Sequence, residues 1–528
     1  MLKNNLLQKT DSPLLLTSRV CVLFSIVSLI FFTLITYRAR FHSDAATAGM
    51  IAIEQWRTAN LFVRGWYYSQ DFWPMFVLNS VTLLFPIIKD AFLATQIGVL
   101  FQTIVILIVT RSILKTIQSP VMTNAVLAFL LSGISSLWGE FFYGQGQYGN
   151  VLMLLLVAVW LILKVLGNDV QHNPKKLLLA LFLINTYANT TSIRYLPLLV
   201  FPALVAISYF SYHRILPQKK MGWLAAILIS SSVVGQLIFL WLKKEYLFLS
   251  GVDGSSFASY AQILSENIPR VIEGYLTLII DNPSGIKFAS LQGVFFLYRF
   301  MFCMIFFSIP FYFIFSKSKL IFLGFDGKKQ FLIIYFFALA FISFFSVTFL
   351  SSTVNSIAAG RYIMVSIYFG VFTGLIYADF LNTYRNKVVF LGLLIPIIFY
   401  NAITLNLGFN KGESEREQLA KFLVEHKLEK GFASYWNADV LTVLSNYQVM
   451  VSHIELNGTK PSLFMSTKEF YKPSGEKENF LLLDATEVAS FDFNFIKEFI
   501  GEPARVLNFK GYRIYIYPDE FASRLPGW

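Results

Sequence analysis

Eleven apolar stretches, each long enough to cross a lipid bilayer, dominate this sequence. They lie at residues 17–36, 91–110, 121–138, 149–167, 176–191, 195–212, 221–242, 290–316, 331–350, 362–381 and 388–407. A transmembrane helix needs about 17–25 predominantly apolar residues. Only 14% of the 528 residues are charged, whereas soluble domains carry about 25%. We therefore predict a mainly α-helical, polytopic membrane protein with about eleven transmembrane helices.

Lysine and arginine are concentrated in every second connection between these stretches. The basic connections contain Arg111, Lys115, Lys175, Lys176, Arg214, Lys219, Lys220, Lys317, Lys319, Lys328, Lys329, Arg385 and Lys387. The short alternate connections 139–148, 192–194 and 351–361 contain only Arg194 and Arg361. Because basic loops remain in the cytoplasm, we predict a multi-pass protein of the plasma (inner) membrane whose N-terminus is cytoplasmic.

The formal charge of +12 follows this division of the chain. Residues 1–408 contain 29 Lys and Arg against 14 Asp and Glu, whereas residues 409–528 contain 14 against 17. The basic excess therefore flanks apolar stretches, so we expect membrane lipids and no nucleic acid among the partners.

The composition also predicts two domains. Residues 1–408 form a transmembrane domain, with outer loops at 37–90, 139–148 and 243–289. Residues 409–528 have the charge content of a soluble protein, and the odd number of spans places them outside the cytoplasm. Strand-like and hairpin-like segments at Phe480–Asp484 and Val506–Tyr517 indicate a small extracytoplasmic α/β domain.

The sequence GQGQYG at residues 144–149 matches the pattern G-x-G-x-x-G. A dinucleotide-binding turn follows a strand and opens a helix in a βαβ unit, but here the motif lies in an outer loop between two apolar stretches. We interpret it as a tight turn, or as a turn that brings backbone amides near a ligand. Gln147 and Tyr148 are then candidates for substrate binding.

An acidic residue follows the first apolar stretch almost immediately. Asp44, with His42 and Ser43 beside it, precedes a helical pattern over Ala45–Leu61 that is typical of an interfacial helix. Ser43 or Asp44 would cap this helix. Alternatively, Asp44 is a partly desolvated carboxylate suited to general-base catalysis.

The same outer loop continues with an aromatic segment, Gly65–Pro74, that contains Tyr67, Asp71 and Trp73. Aromatic side chains form belts at membrane interfaces, and their apolar faces also suit sugar rings. We therefore take Tyr67 and Trp73 as candidate substrate contacts, together with His42.

Two arginines stand at the outer ends of apolar stretches, Arg194 before Tyr195 and Arg361 before Tyr362. Such residues often only extend toward the headgroups. Near carboxylate-bearing loops they instead suit a phosphate, which guanidinium binds in a bidentate manner.

These features together resemble GT-C membrane glycosyltransferases, in particular family 39, with its protein O-mannosyltransferases and lipid A aminoarabinose transferases. The resemblance is carried by FHSDAATAG at 41–49, by the two Arg-Tyr pairs and by GFASYWNADVLTVLS at 431–445. It implies transfer of a sugar from a polyprenyl-phosphate donor to an envelope glycan, lipid or protein acceptor on the outer side.

The resemblance also implies roles for individual residues. Asp44 corresponds to the family's catalytic base, and Arg194 and Arg361 to the basic residues that hold the donor phosphate. Glu140 matches the place of a second acid. Many members have Glu after the first aspartate, where this chain has Ala45, and Asp71 would supply the missing acid.

We expect no organic cofactor, since a lipid carrier already holds an activated sugar, and the sequence offers no metal-ligand set, although the resemblance leaves a divalent metal open. Two other classes fit the topology. A polysaccharide polymerase or ligase would also use lipid-linked donors, and a flippase or transporter would place ionisable residues within its spans. Arg299 and Lys164 come closest to such residues.

Overall fold

A computed structural model of the chain describes residues 12–69, 71–72, 79–167, 173–248, 257–282, 284–316, 325–350, 356–377, 383–407, 413–455, 460–473, 478–518 and 524. All eleven predicted apolar stretches form helices. Their bounds are Ser12–Leu34, Ala91–Leu114, Pro120–Leu131 with Ser136–Gly139, Gln147–Leu166, Pro174–Thr191, Leu196–Val200 with Phe201–Tyr212, Gln218–Glu245, Leu291–Ser316, Gly327–Thr348, Ser356–Tyr377 and Tyr384–Leu407.

Within the described residues, eight of these helices are long and apolar enough to cross a membrane. A ninth crossing results if Pro120–Leu131 and Ser136–Gly144, which meet at an angle of 91°, count as one span. The helix Leu196–Tyr212 is apolar but shorter than the others. The chain is a multi-pass membrane protein, as predicted, with fewer full-length crossings than the eleven apolar stretches suggest.

Two helices form the centre of the bundle. The apolar part of Gln147–Leu166 is 78% buried and that of Gly360–Tyr377 is 89% buried, against 22% for Ser12–Leu34. Helices that are apolar on all sides are buried in protein or face lipid. The N-terminal residues of the two central helices include Tyr148 and Arg361, so the bundle fixes the positions of both.

Hydrogen bonds between buried polar side chains connect neighbouring helices. The side-chain amide of Asn185 donates to the hydroxyls of Ser231 and Ser232 at 2.7 and 2.9 Å. The hydroxyls of Thr110 and Tyr368 lie 2.7 Å apart. In an apolar environment such bonds hold helices together, because the groups otherwise lack partners.

Two long connections between spans contain further helices and strands. The first contains the helices Ser43–Thr58 and Ser80–Ile88 and the short strand Tyr67–Tyr68, which pairs in parallel with Leu247–Phe248. The second connection, between Gln218–Glu245 and Leu291–Ser316, contains the helical run Tyr260–Gln262, Ile263–Asn267 and Ile268–Ile280. Ten of the sixteen residues of Ser43–Thr58 are buried, so this helix lies among other elements rather than exposing a broad polar face.

The C-terminal region forms a small sheet domain, as predicted. Its five strands lie in the order Met450–His453, Lys430–Ala433, Asn479–Asp484, Tyr512–Tyr517 and Arg505–Phe509. The first three run parallel, and the last two form the predicted antiparallel hairpin. The helices Glu415–Glu425, Tyr435–Leu444 and Phe493–Phe499, with the 3₁₀ turn Lys468–Tyr471, complete the domain.

This domain packs against the helix that follows the first span. A side chain at Gly49 would place its Cβ only 2.6 Å from Cγ2 of Val443, so the two helices approach each other where no side chain intervenes. The Tyr447 hydroxyl donates to the Gly49 carbonyl at 3.1 Å. The Ser43 hydroxyl donates to the Tyr435 carbonyl. The C-terminal domain is therefore docked directly onto the segment that contains Asp44.

Candidate active site

A cavity of about 650 Å³ lies where the central helices, the loops that connect the spans and the C-terminal domain meet. Six of the residues singled out from the sequence line it: Asp44, Asp71, Gln147, Tyr148, Arg194 and Arg361. The remaining lining is mainly apolar and includes Leu196, Leu198, Phe201, Val347, Leu350 and Val365. The cavity thus combines an apolar wall with a small set of charged and hydroxyl groups, as ligand sites do.

Asp44 lies in the first turn of the helix Ser43–Thr58, and its side chain does not cap that helix. The N-cap residue is His42, without a side-chain capping hydrogen bond, so the prediction of Ser43 or Asp44 as cap is wrong. The Asp44 carboxylate instead accepts a 2.7 Å hydrogen bond from the Tyr435 hydroxyl. A partner distant in sequence has replaced the local capping interaction.

Further contacts hold Asp44 at the cavity. Gln147 donates its side-chain amide to the Asp44 carbonyl at 3.2 Å, and Arg361 Nη1 lies 3.9 Å from Asp44 Oδ2. Burial, followed by the negative charges of Asp44 and Asp439, raises the pKa of Tyr435 well above its ordinary value. The phenol therefore remains protonated and acts as a hydrogen-bond donor to Asp44.

Arg194 and Asp71 form an ion pair with Nη2 and Oδ2 2.9 Å apart. Burial alone lowers the pKa of Arg194, but the charge of Asp71 and the neighbouring phenols of Tyr148 and Tyr362 outweigh it and raise the pKa above its ordinary value. The guanidinium is therefore a permanent positive charge at the cavity wall.

The ring of Tyr362 contacts both cavity arginines. Its centroid lies 5.4 Å from the guanidinium carbon of Arg194 and 5.5 Å from that of Arg361. Cations at this distance from an aromatic face are attracted by its electron density. Tyr362 thus contacts two positive groups at the same cavity. Because these two charges repel each other, the cavity favours an anionic ligand.

The glycine motif forms a tight turn at the cavity. Gly146 has φ +79°, a left-handed conformation that favours glycine. A Cβ at Gly144 would lie 2.3 Å from the Tyr37 ring, and one at Gly149 would lie 2.1 Å from Gln102 Nε2. The turn ends a π-helical segment, Glu140–Gly144, and starts the helix Gln147–Leu166. The glycines therefore permit close packing and direct Gln147 and Tyr148 to the cavity.

Three other described candidates, Glu140, His42 and Tyr67, are not among the residues that line the cavity. Glu140 Oε1 and His42 Nε2 lie 3.1 Å apart, and the Gln145 side chain contacts both. Tyr67 belongs to the short strand pairing with Leu247 and donates its backbone N–H to Ser466. Trp73 lies outside the described residues.

Several cavity residues were not predicted from the sequence. Tyr435, Phe464 and Met465 come from the C-terminal domain, and Tyr362 follows Arg361 in the chain. The Ser434–Asp439 segment stands out in sequence for its aromatic and polar residues, yet nothing local indicates that Tyr435 reaches Asp44. Within the described residues, no group of three or more His, Cys, Asp or Glu side chains is arranged to hold a metal ion.

The apolar helix bundle with its appended sheet domain is a fold already seen in a solved membrane-protein structure, and this likeness confirms the fold expected from the resemblance. The chain is similar to the crystal structure of ArnT from Cupriavidus metallidurans bound to undecaprenyl phosphate. The TM-score is 0.55, with 11% sequence identity over 94% of this chain and 97% of that chain.

The crystal structure of ArnT from the same organism in the apo state gives a TM-score of 0.46, with 11% identity over 95% of this chain and 98% of that one. No protein-family model and no curated protein sequence matches this chain.

Proposed function

We propose that this protein is a glycosyltransferase that moves a sugar from a polyprenyl-phosphate carrier to an acceptor hydroxyl at the outer face of the membrane. The observation that carries the proposal is the placement of Asp44, Arg194 and Arg361 in the wall of one cavity. Transfer of a sugar from a phosphate leaving group needs a base that deprotonates the acceptor and cations that stabilise the departing phosphate. A carboxylate and two arginines are groups of these kinds. The GT-C fold shared with an ArnT structure that holds undecaprenyl phosphate supports the same donor class.

The lining of the cavity suits a donor with an apolar chain and a charged headgroup. Leu196, Leu198 and Phe201 belong to the apolar helix that follows Arg194. Val347 lies in the last turn of the apolar helix Gly327–Thr348, and Leu350 follows that helix. The isoprenoid would lie along these residues, with its phosphate at Arg194 and Arg361. Guanidinium groups bind phosphate through several N–H donors at once.

In the proposed reaction, Asp44 accepts the proton of the acceptor hydroxyl. The acceptor oxygen forms a bond to the anomeric carbon as the bond between that carbon and the phosphate oxygen breaks. The polyprenyl phosphate leaves with the electron pair, and Arg194 or Arg361 stabilises its charge. One displacement of this kind inverts the anomeric configuration. A retaining reaction would require a second, nucleophilic carboxylate.

Asp71 and Glu140 have supporting roles in this proposal. Asp71 is paired with Arg194 and orients it toward the cavity. Glu140 lies within hydrogen-bond distance of His42, the N-cap residue of the helix that contains Asp44. Gln147 and Tyr148 line the cavity and are placed to contact the sugar.

The topology in the proposal is the predicted one, with the N-terminus in the cytoplasm and the cavity and C-terminal domain outside. A flippase is a weaker candidate because residues of the connecting loops and of the C-terminal domain line the cavity. Arg299, one of the two residues that come closest to a charge within a span, is ion-paired with Asp281 at 2.9 Å. A polymerase or ligase would use an oligosaccharide-pyrophosphate lipid as its donor. Assays that compare this donor with a polyprenyl-phosphate monosaccharide therefore distinguish the two classes of enzyme.

The test is transfer of labelled sugar from a polyprenyl-phosphate monosaccharide by purified protein in lipid, comparing the wild type with Asp44→Asn. We expect the variant to lose at least a hundredfold in kcat while keeping its thermal stability. Asp90→Asn is a matched control, since Asp90 lies at the start of the helix Ala91–Leu114 and pairs with Arg38 outside the cavity lining. Full activity in Asp44→Asn would exclude Asp44 as the base.

A further inference from the structure

The Asp44 carboxylate depends on a residue of the C-terminal domain for its position. Tyr435 Oη donates to Asp44 Oδ1 at 2.7 Å, a normal distance for a strong bond to a carboxylate. The nearest cationic contact, Arg361 Nη1, is 3.9 Å from the other oxygen, too far for a hydrogen bond. The phenol of Tyr435 therefore makes the short contact to this carboxylate at Oδ1, and Oδ2 is the oxygen that faces Arg361.

Tyr435 is itself fixed at both ends. Its backbone carbonyl accepts a hydrogen bond from the Ser43 hydroxyl, while its own hydroxyl reaches Asp44. The two adjacent residues Ser43 and Asp44 are thus connected to the main chain and the side chain of one tyrosine. A two-point contact of this kind fixes the orientation of one segment relative to the other.

The Tyr435 ring is also held by its neighbours. It packs edge-on against the rings of His453 and Phe464, with centroid distances of 5.2 and 5.1 Å and interplanar angles of 89° and 81°. His453 is buried and contacts Asp439, one turn along the helix from Tyr435. The ring has little freedom to rotate, so the direction of its hydroxyl is set before any substrate binds.

From these contacts we propose that Tyr435 is the positioning residue for Asp44, so that the active site is complete only when the C-terminal domain is docked. The inference rests on the proposed function of Asp44 as base. The hydroxyl of Tyr435 engages Oδ1 and leaves Oδ2 to accept the proton of the acceptor hydroxyl. Binding energy that holds a base in its reactive geometry is expressed in kcat rather than in donor affinity.

The consequence for the fold is that the C-terminal domain contributes to chemistry as well as to the wall of the cavity. Phe464 and Met465 of the same domain line the cavity beside Tyr435. Ser466, the next residue in the chain, accepts a 2.8 Å hydrogen bond from the backbone N–H of Tyr67 in the first outer loop. Displacement of this domain would remove three lining residues and the Asp44 contact together.

The test compares three variants of the full-length protein in lipid: Tyr435→Phe, Asp44→Asn and the double variant. Tyr435→Phe keeps the ring and removes the hydroxyl, and we expect kcat to fall about ten- to hundredfold, with an unchanged KM for the lipid-linked donor. In the Asp44→Asn background the same change should have no further effect, because the group that Tyr435 positions is absent.

Tyr447→Phe is the matched control. It removes a phenol hydroxyl that donates to Gly49 across the same contact between the C-terminal domain and the helix Ser43–Thr58, and this hydroxyl does not contact Asp44. We expect Tyr447→Phe to retain wild-type kcat. Equal losses of kcat in Tyr435→Phe and Tyr447→Phe would show that the activity depends only on docking of the C-terminal domain. That result would overturn the positioning role of Tyr435.

Two other outcomes separate this inference from the proposed function. If Asp44→Asn abolishes transfer while Tyr435→Phe is fully active, the base assignment stands and the role of Tyr435 is excluded. If Asp44→Asn itself retains wild-type transfer, Asp44 is not the base and both assignments fail. A loss of kcat that adds independently in the double variant also excludes action through Asp44.

Discussion

Arg194 and Asp71 form a largely buried ion pair that engages only one of the two terminal nitrogens of the guanidinium. Nη2 of Arg194 lies 2.9 Å from the Asp71 carboxylate, whose side chain is only 6% exposed. The second terminal nitrogen, Nη1, is buried and makes no hydrogen bond within the part of the chain that the structure describes. A buried donor without a partner is costly, and a phosphate oxygen in the cavity would satisfy it.

Asp71→Asn should destabilise the protein because it leaves the Arg194 charge without its counter-ion. Removal of one partner from a largely buried pair costs about 2 kcal/mol after allowance for the partly exposed arginine. We expect a Tm lower by a few degrees in detergent-solubilised protein. Glu478→Gln is the control, because Glu478 and Arg505 are also 2.9 Å apart but both are 48% exposed. Equal Tm shifts in the two variants would contradict a buried pair.

Gly49→Ala should disturb the contact between the C-terminal domain and the helix of Asp44. The added Cβ would lie 2.6 Å from Cγ2 of Val443, and a valine side chain cannot move away by bending. We expect a lower Tm and a lower kcat. In Gly49→Ala/Val443→Ala the clash is absent, so the second change should restore part of both losses. A double variant whose losses simply add would show that the two residues do not press on each other.

The helix bundle was predictable because its signal is local. Each apolar stretch is long enough to identify a helix. Where a helix is longer than its apolar stretch, as in Gln218–Glu245, the additional residues are flanking polar ones. The bend between Pro120–Leu131 and Ser136–Gly139 was not predicted. Gly133, with φ +79°, lies in this break, and a single glycine beside serines does not distinguish a bent helix from a straight one.

The site was predictable only in part, for a related reason. Arg194 and Arg361 stand out because a charge at the outer end of an apolar stretch is rare enough to be noticed. The partner of Asp44 is 391 residues away in sequence, so no spacing rule connects it to Tyr435. The same long-range bond explains the incorrect cap, because local propensity favours Asp44 as a capping residue until a better partner reaches it.

Cysteine labelling should establish the orientation of the protein. Trp436 is 55% exposed in the C-terminal domain, and Lys115 is exposed in a basic connection predicted to be cytoplasmic. In spheroplasts, an impermeant maleimide should label Trp436→Cys and not Lys115→Cys, and both should react after lysis. The native Cys21 and Cys303 are buried, so the background is low. Labelling of Lys115→Cys alone in intact spheroplasts would reverse the topology and exclude an outer site.

Replacement of the cavity arginines should weaken binding of polyprenyl phosphate. Arg194→Gln and Arg361→Gln each remove a cation beside Tyr362, and loss of a charge-assisted hydrogen bond costs about 1.5–3 kcal/mol, or roughly ten- to hundredfold in affinity. The Kd for undecaprenyl phosphate, measured by thermal shift of the purified protein, reports this without any turnover. Arg270→Gln is the control, since Arg270 pairs with Glu266, four residues away in the helical run Ile263–Ile280, and does not line the cavity. An unchanged Kd in both cavity variants would place the phosphate elsewhere, whereas a change in only one would identify the arginine that holds it.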